Sequence, residues 1–283
     1  MKPMVKYRGG KTKEIPEMLP FVPGGYDRYI EPFFGGGAMY FYLEPEQAII
    51  NDLNKPLVDF YEGVRNNYST LRAQLDELET KYAENRAIFE REKAKHPDER
   101  VFDPNEDLYY ALRDIYNGKK NGRYSAAAVY YFINKTAYSG MIRYNKRGEY
   151  NVPYGRYKNF NTKLVSQEHS TLLQGTEVLC GDFQETFAKA GPDDFMFLDP
   201  PYDCVFSDYG NAETKGGFTE REHRRLAQAF RRLKCRALMV IGKTPLTMEL
   251  YGDLVVHEYN KSYAVNIRNR FKSESKHILI ANY

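Results

Sequence analysis

The chain has 283 residues, 42% of them apolar, with 25 Tyr, 17 Phe and no Trp, and a formal net charge of +3. This length is generous for one domain and short for two, so one sizeable core with an inserted or appended module is expected. No run reaches the roughly 18 consecutive apolar residues of a membrane span, and the start of the chain has no apolar signal core, so a cytoplasmic protein with no membrane partner is expected.

In chain order, a basic, glycine-containing run from Lys6 to Lys11 comes first. Tyr29-Ile30-Glu31-Pro32 followed by Phe33 to Met39 reads as a strand, a glycine turn and a helix start, and Ala48 to Asp52 as a short buried strand ending in an acid. Together they make the opening βαβ unit of an open, twisted sheet. Leu71, Leu75, Leu78 and Tyr82 then fall on one face of a helix running toward Lys95. Between Asn117 and Lys163, ten basic residues face a single acid, Glu149, leaving +9 on that stretch and −6 on the rest. A basic island on a mildly acidic body is the footprint of a module that meets phosphates. Strands return at Glu177–Cys180, Phe195–Leu198, Ala237–Ile241 and His277–Ile280. Thr219-x-x-Glu222 predicts a capping box opening a helix that buries Leu226, Phe230 and Leu233. The sheet is thus expected to be split by an insertion of about a hundred residues. Cys180, Cys204 and Cys235 are odd in number and far apart, so reduced thiols and no metal site are expected.

Asp199-Pro200-Pro201-Tyr202 directly follows the apolar strand at Phe195–Leu198. Ligands of open α/β sheets bind beyond the carboxyl ends of strands, where this tetrapeptide must sit. Successive prolines restrict the backbone and remove N–H donors, so the turn offers carbonyl acceptors and a fixed carboxylate. Such a site suits an amino group with two N–H bonds to donate. Adenine N6 is a poor nucleophile because its lone pair is delocalised. Accepting its protons at the Asp199 carboxylate and the Pro200 carbonyl would draw it toward tetrahedral geometry, with Tyr202 stacked on the base.

This strand and tetrapeptide resemble the amino-methyltransferase signature, and the wider pattern is similar to the Dam-type, or D12 class, DNA adenine-N6 methyltransferases over nearly the whole chain. The resemblance implies an α/β fold: a Rossmann-like, S-adenosyl-L-methionine-dependent methyltransferase sheet with an inserted, mainly helical target-recognition domain carrying a β-hairpin. Residues 1–60 and 165–283 would form the catalytic domain and 61–164 the insertion. Asp199, Pro200 and Tyr202 would be catalytic. Phe33, Gly35 and Gly37 match the family's cofactor loop, although glycines alone read equally as a tight turn. Asp52 would accept ribose hydroxyls, or else cap a helix. Tyr7, in place of the usual Trp, and Lys11 belong to the element that closes over the cofactor. Asp182 and Phe183 would lie near its adenine, and Asp199 would also border it.

In the insertion, Tyr138 to Asn145 and Asn151 to Gly155 resemble the family's DNA-reading hairpin, with Lys146-Arg147-Gly148-Glu149 as its turn. The implied DNA-binding set is Ser139, Met141, Arg143, Asn145, Lys146, Arg147 and Pro153. Arg143 stands where the family reads a guanine, and bidentate Arg on guanine is the commonest specific base contact. Ser139 and Met141 replace the Asn and Leu usual in readers of GATC, so that site is only the first expectation. Lys261, Arg268, Arg270 and Lys272 would grip phosphates or lie in a solvated loop. Gly242-Lys243-Thr244 stands where relatives carry Ser-Asn, and no role follows. The implied partner is double-stranded DNA, with a companion restriction endonuclease possible and no metal required. The alternatives are an RNA or protein amino-methyltransferase using the same pocket, and an inactive DNA-binding module.

Overall fold

The computed structural model describes residues 1–203, 218–261 and 275–283. Its seven-stranded sheet comprises β1 (Tyr29–Glu31), β2 (Ala48–Asn51), β3 (Thr176–Leu179), β4 (Phe195–Leu198), β5 (Arg236–Gly242), β6 (Val255–Lys261) and β7 (Ser275–Ala281), in the order β3-β2-β1-β4-β5-β7-β6. The pairings among β1 to β5 are parallel, whereas β7 runs antiparallel to both β5 and β6. Strand order reverses between β1 and β4, which is the switch point where open α/β sheets take ligands.

Side-chain alternation explains why the short strands are apolar throughout. Tyr29, Ile50, Phe195, Phe197, Leu238, Val240 and Leu279 enter one core cluster, while Ile30, Ile49, Met196, Leu198, Met239, Ile241, Ile278 and Ile280 enter another on the opposite face. Helices cover both faces: α1 (Ile15–Met18), α2 (Ala38–Leu43), α3 (Lys55–Asn66), α4 (Tyr68–Lys95), α5 (Pro104–Tyr116), α6 (Ala126–Thr136), α7 (Gln167–Gln174), α8 (Phe183–Lys189), α9 (Glu220–Phe230) and α10 (Pro245–Tyr251).

Five of these, α3 to α7, lie between β2 and β3. Leu71, Leu75, Leu78 and Tyr82 of α4 are buried as their spacing predicts. They share one continuous cluster with α3, α5, α6 and the first sheet face, so no solvent layer divides this region from the sheet. Truncating such a buried leucine to alanine costs about 2–5 kcal/mol.

Several sequence expectations change here. Thr219 caps α9 through the Glu222 N–H, but the Glu222 carboxylate turns to Arg225, so only half of the predicted box forms. A reciprocal box appears instead on α10, between Thr244 and Thr247. Leu226 and Phe230 are buried, whereas Leu233 lies beyond the end of α9 and is half-buried. The hairpin expected at 138–155 contains no regular strands. It is an irregular loop closed by two isolated antiparallel bridges, Ala137 with Tyr154 and Tyr144 with Tyr150. Its turn spans Asn145 to Gly148, one residue earlier than predicted, with Gly148 at φ +76°. Strand β6 went unread. Cys235 is buried and Cys180 exposed, neither in a disulfide; Cys204 lies outside the described residues.

Candidate active site

A cleft of about 1130 Å³ opens at the carboxyl ends of β1, β2 and β4. It exceeds the roughly 300–1,000 Å³ typical of small-molecule pockets, leaving room for a cofactor and a base together. From the sequence-derived set, it gathers Tyr7, Lys11, Phe33, Gly35, Gly37, Asp52, Ser139, Asp182, Phe183, Asp199, Pro200 and Tyr202 into one lining.

The glycine loop follows from close approach. Gly35 and Gly37 take φ +50° and +65°, in the left-handed region that β-carbons disfavour. A Cβ on Gly35 would stand 2.7 Å from the Tyr7 ring, and one on Gly37 2.5 Å from Phe34. Tyr7 therefore lies against the bare backbone of this loop. Asp52 binds the loop from below: its carboxylate accepts from Gly35 N–H at 2.8 Å and from Asn54 N–H at 2.8 Å. Glu31, at the end of β1, is fully enclosed and receives the Tyr29 hydroxyl at 2.7 Å; burial pushes its carboxyl well above the usual range.

At the far end of the cleft, the Phe33 ring lies 5.5 Å from Phe183 at a tilt of 36° and edge-on at 5.9 Å from Phe218. Asp182 caps α8 and forms a two-point bridge to Arg225 at 3.0 and 2.6 Å, while the Arg225 guanidinium lies 4.4 Å above the Phe183 ring. Phe218 and Arg225 were missed, since nothing in their local sequence separates them from an ordinary helix start. The glycine cradle, the aromatic trio and the Asp52 carboxylate fit the methionine, adenine and ribose parts of S-adenosylmethionine.

Asp199 stands just beyond β4. Burial raises its carboxyl above the usual range, and the Lys11 ammonium, 2.8 Å away and itself 4% exposed, pulls it back. Lys11 also donates to the Gly9 carbonyl and lies 4.8 Å from the centre of the Tyr202 ring. Lys11, which the motif assigns to the cofactor, lines the cleft with its ammonium on Asp199. Tyr202 meets His277 edge-on at 5.0 Å. Gly242 leaves space for this ring, as a Cβ there would be 3.3 Å from it. Lys243 pairs with Glu258, and Thr244 donates to Asp203 at 3.0 Å.

Of the seven DNA-binding expectations, only Ser139 reaches the cleft, at φ +56°. Met141 is half-buried. Arg143 is exposed, its guanidinium resting on the Asn151 side chain at 2.8 Å. Asn145 is committed to the turn, accepting from Arg147 and Glu149 N–H and donating to the Glu149 carboxylate. Lys146 and Arg147 stand exposed at the tip, and the Pro153 carbonyl accepts from Tyr138 N–H. Part of the basic island is neutralised by neighbouring acids: Lys119 by Glu149, Lys120 by Asp114, Arg123 by Glu77 and Arg156 by Glu106. Lys6 and Lys135 come together beside Ser139 and Gly140. The Lys6 ammonium donates to the Lys135 carbonyl, and burial, then Lys6, push Lys135 down to about 8. Lys261 pairs with Glu14; Arg268, Arg270 and Lys272 lie outside the described residues. Among the described residues no group of His, Cys, Asp and Glu could hold a metal, and no helix is long and apolar enough to cross a membrane.

The model of the D12 class N6 adenine-specific DNA methyltransferases matches residues 7–267. The chain is 34% identical over 290 residues to the type II methyltransferase M.CviBI of Paramecium bursaria Chlorella virus NC1A, covering 100% of both proteins. It is 34% identical over 274 residues to the type II methyltransferase M.MjaIII of Methanocaldococcus jannaschii, covering 90% of this chain and 88% of that protein. With the type II methyltransferase M1.LlaDCHI of Lactococcus lactis subsp. cremoris it shares 29% over 304 residues, covering 100% and 96%. A match over nearly the whole length, joined to an Asp-Pro-Pro-Tyr turn at the sheet's switch point, makes this chain a member of the D12 class N6 adenine-specific DNA methyltransferases.

Proposed function

We infer that the enzyme extrudes one adenine from duplex DNA into the cleft and methylates its N6 there, with Asp199, Pro200 and Tyr202 in contact with the base. The Asp199 carboxylate at the switch point, half-buried and open to a cleft with room for two ligands, carries this reading. S-adenosylmethionine, the general cofactor of the class, supplies an electrophilic methyl group when bound. Gly35 and Gly37 give its methionine part close backbone approach, Asp52 accepts its ribose hydroxyls, and Phe33, Phe183 and Asp182 hold its adenine end. Tyr7 covers the loop.

The Asp199 carboxylate and the Pro200 carbonyl each accept one N6–H of the extruded base, localising the nitrogen lone pair toward the methyl donor. Tyr202 stacks on the purine. As N6 acquires positive charge, Asp199 stabilises it and receives the proton it sheds. Extrusion is required because N6 in the stack cannot reach such a pocket. The Lys11 ammonium opposes the effect of burial on Asp199 and so favours its ionised, accepting form.

Residues 61–164 serve as the target-recognition part and residues 1–60 and 165–283 as the catalytic part. Arg143 reads a guanine in the major groove, with GATC or a related sequence as the site. Ser139, Met141, Asn145, Lys146, Arg147 and Pro153 shape the same reading loop. The type II designation of M.CviBI and M.MjaIII supports a companion restriction endonuclease cutting the unmethylated site.

The test is transfer of labelled methyl to DNA, with modified adenines mapped by long-read sequencing after expression in a methylation-free host. Asp199→Ala should lower kcat by about 10²–10³-fold or more while cofactor affinity survives. Undiminished turnover in that variant discards the catalytic assignment.

A further inference from the structure

Glu14 is a carboxylate that neither the family motif nor the proposed chemistry uses, yet it is 7% exposed and bound by three side chains. The Tyr259 hydroxyl and the His277 Nδ1 meet its Oε2 at 2.8 and 2.6 Å, and the Lys261 ammonium meets its Oε1. Tyr259 and Lys261 belong to β6 and His277 to β7, so these donors come from the last strands of the sheet. Glu14 itself sits one turn from Lys11: its N–H donates to the Lys11 carbonyl at 2.7 Å, and Ile15 N–H does so at 3.1 Å.

The contacts close into a ring. Lys11 reaches Asp199 and the Tyr202 face, Tyr202 meets the fully buried His277 edge-on, His277 meets Glu14, and Glu14 returns through one turn to Lys11. A buried carboxylate is costly unless its charge is matched, and here the bonds outweigh the cost. Burial pushes Glu14 up, yet the bonds from His277 and Lys261, followed by Lys11 and Tyr259, hold it down to about 2. A neutral side chain would anchor the turn without that expense.

We propose that Glu14 is a positioning residue for methyl transfer, fastening the Lys11 turn to β6 and β7 and thereby keeping the Lys11 ammonium on Asp199. The inference rests on the proposed role of Asp199.

Two effects of Glu14 on Asp199 oppose each other, which makes the idea testable. The groups facing Asp199 are Lys11 and Glu14 from the N-terminal turn, Glu31 from β1, and Tyr259 and Lys261 from β6. As a bare charge, Glu14 disfavours ionised Asp199, so neutralising it would move the Asp199 titration to lower pH. As a positioning group, its loss frees Lys11, and the titration moves to higher pH.

The experiment is the pH profile of kcat/KM for Glu14→Gln, Lys11→Gln and the double variant, with S-adenosylmethionine affinity and thermal unfolding measured on each. For Glu14→Gln the acidic limb should move up by about one pH unit, a tenfold loss of kcat/KM below the limb. The double variant should lose no more than Lys11→Gln alone, as expected for residues acting as a unit. A limb that stays in place or moves down overturns the proposal, as does full additivity. Tyr259→Phe, which retains the ring and removes one donor, should shift the limb upward by less. If Glu14→Gln does not fold, an unmoved limb in Tyr259→Phe overturns the proposal instead. Asp199→Ala is assayed alongside: an active Asp199→Ala sinks the catalytic reading, whereas an inactive one beside a wild-type Glu14→Gln profile sinks only the role of Glu14.

Discussion

The cleft end of the sheet and the loop at 138–155 handle charge in opposite ways. At the sheet, the carboxylates of Glu31 and Asp52 are buried and that of Asp199 is half-buried, and each is held by a hydroxyl, backbone N–H groups or an ammonium. In the loop, Tyr150, Val152 and Tyr154 alternate inward, anchored beneath by Asn117, the Tyr109 hydroxyl and the Tyr82 hydroxyl. Arg143, Lys146 and Arg147 project outward. Burying a carboxylate obliges the fold to fix its place, because an unmatched buried charge costs several kcal/mol. An exposed cation needs only register, which the inward residues supply. On the proposed reading, chemistry is built where the backbone is rigid, and sequence choice where side chains face solvent.

The largest effect should come from attacking that rigidity. Gly35→Ala puts a Cβ against Tyr7 at φ +50°. Left-handed strain of about 1–2 kcal/mol adds to an overlap cost of about 1–3 kcal/mol. Expected outcomes are a loss of S-adenosylmethionine affinity of about 100-fold by calorimetric titration and some loss of thermal stability. Gly148→Ala is the control on the other side of the comparison. It has φ +76° but nothing within 4 Å of its Cβ, so only the strain remains and cofactor affinity should be unchanged. Equal cofactor affinity in Gly35→Ala and wild type would end the reading of the cradle.

Arg143→Ala should act next most strongly, and on specificity alone. Losing a bidentate guanine contact removes about 1–3 kcal/mol of discrimination at one base pair. Methylated-site mapping should show one position of the recognition sequence relaxed, at near-normal kcat on the cognate site. An unchanged motif would remove Arg143 from the reading set.

The same contrast governs what could be read from sequence. Strands β1, β2, β4 and β5 announced themselves because parallel strands buried on both faces must be continuously apolar, and Asp199-Pro200-Pro201-Tyr202 follows one of them directly. Strand β6, an edge strand written Val-Val-His-Glu-Tyr-Asn-Lys, looks like a polar loop because one side of its pairing is open. The placement of Lys11 on Asp199 was invisible for a different reason: the two are far apart in the chain, and motif order says nothing of which tip meets which. Glu14, Phe218 and Arg225 lack any local signature, since their partners lie on distant strands and loops. Glu222 illustrates one local interaction losing to another: the capping-box spacing was right, but Arg225, three residues on along the same helix, offered its carboxylate a charged partner.

The finest test lies where the two regions meet, at Lys6 and Lys135. The cations are neighbours, and burial together with the Lys6 charge lowers Lys135 to about 8. A lysine with a depressed pKa is charged below that value and neutral above it, so any phosphate contact it makes should fade as pH rises through 8. Binding a phosphate favours the charged form, so DNA association near pH 8 should take up protons. Wild-type affinity should accordingly fall a few-fold between pH 7 and 9. Lys135→Met should bind less tightly at pH 7, flatten this dependence and reduce the salt slope by about one. Lys6→Met provides the sign check: with the neighbouring charge removed, Lys135 titrates higher and the fall in affinity should shift to higher pH. If Lys6→Met leaves the midpoint where it was, the Lys6 charge does not act on Lys135 and the coupling is discarded.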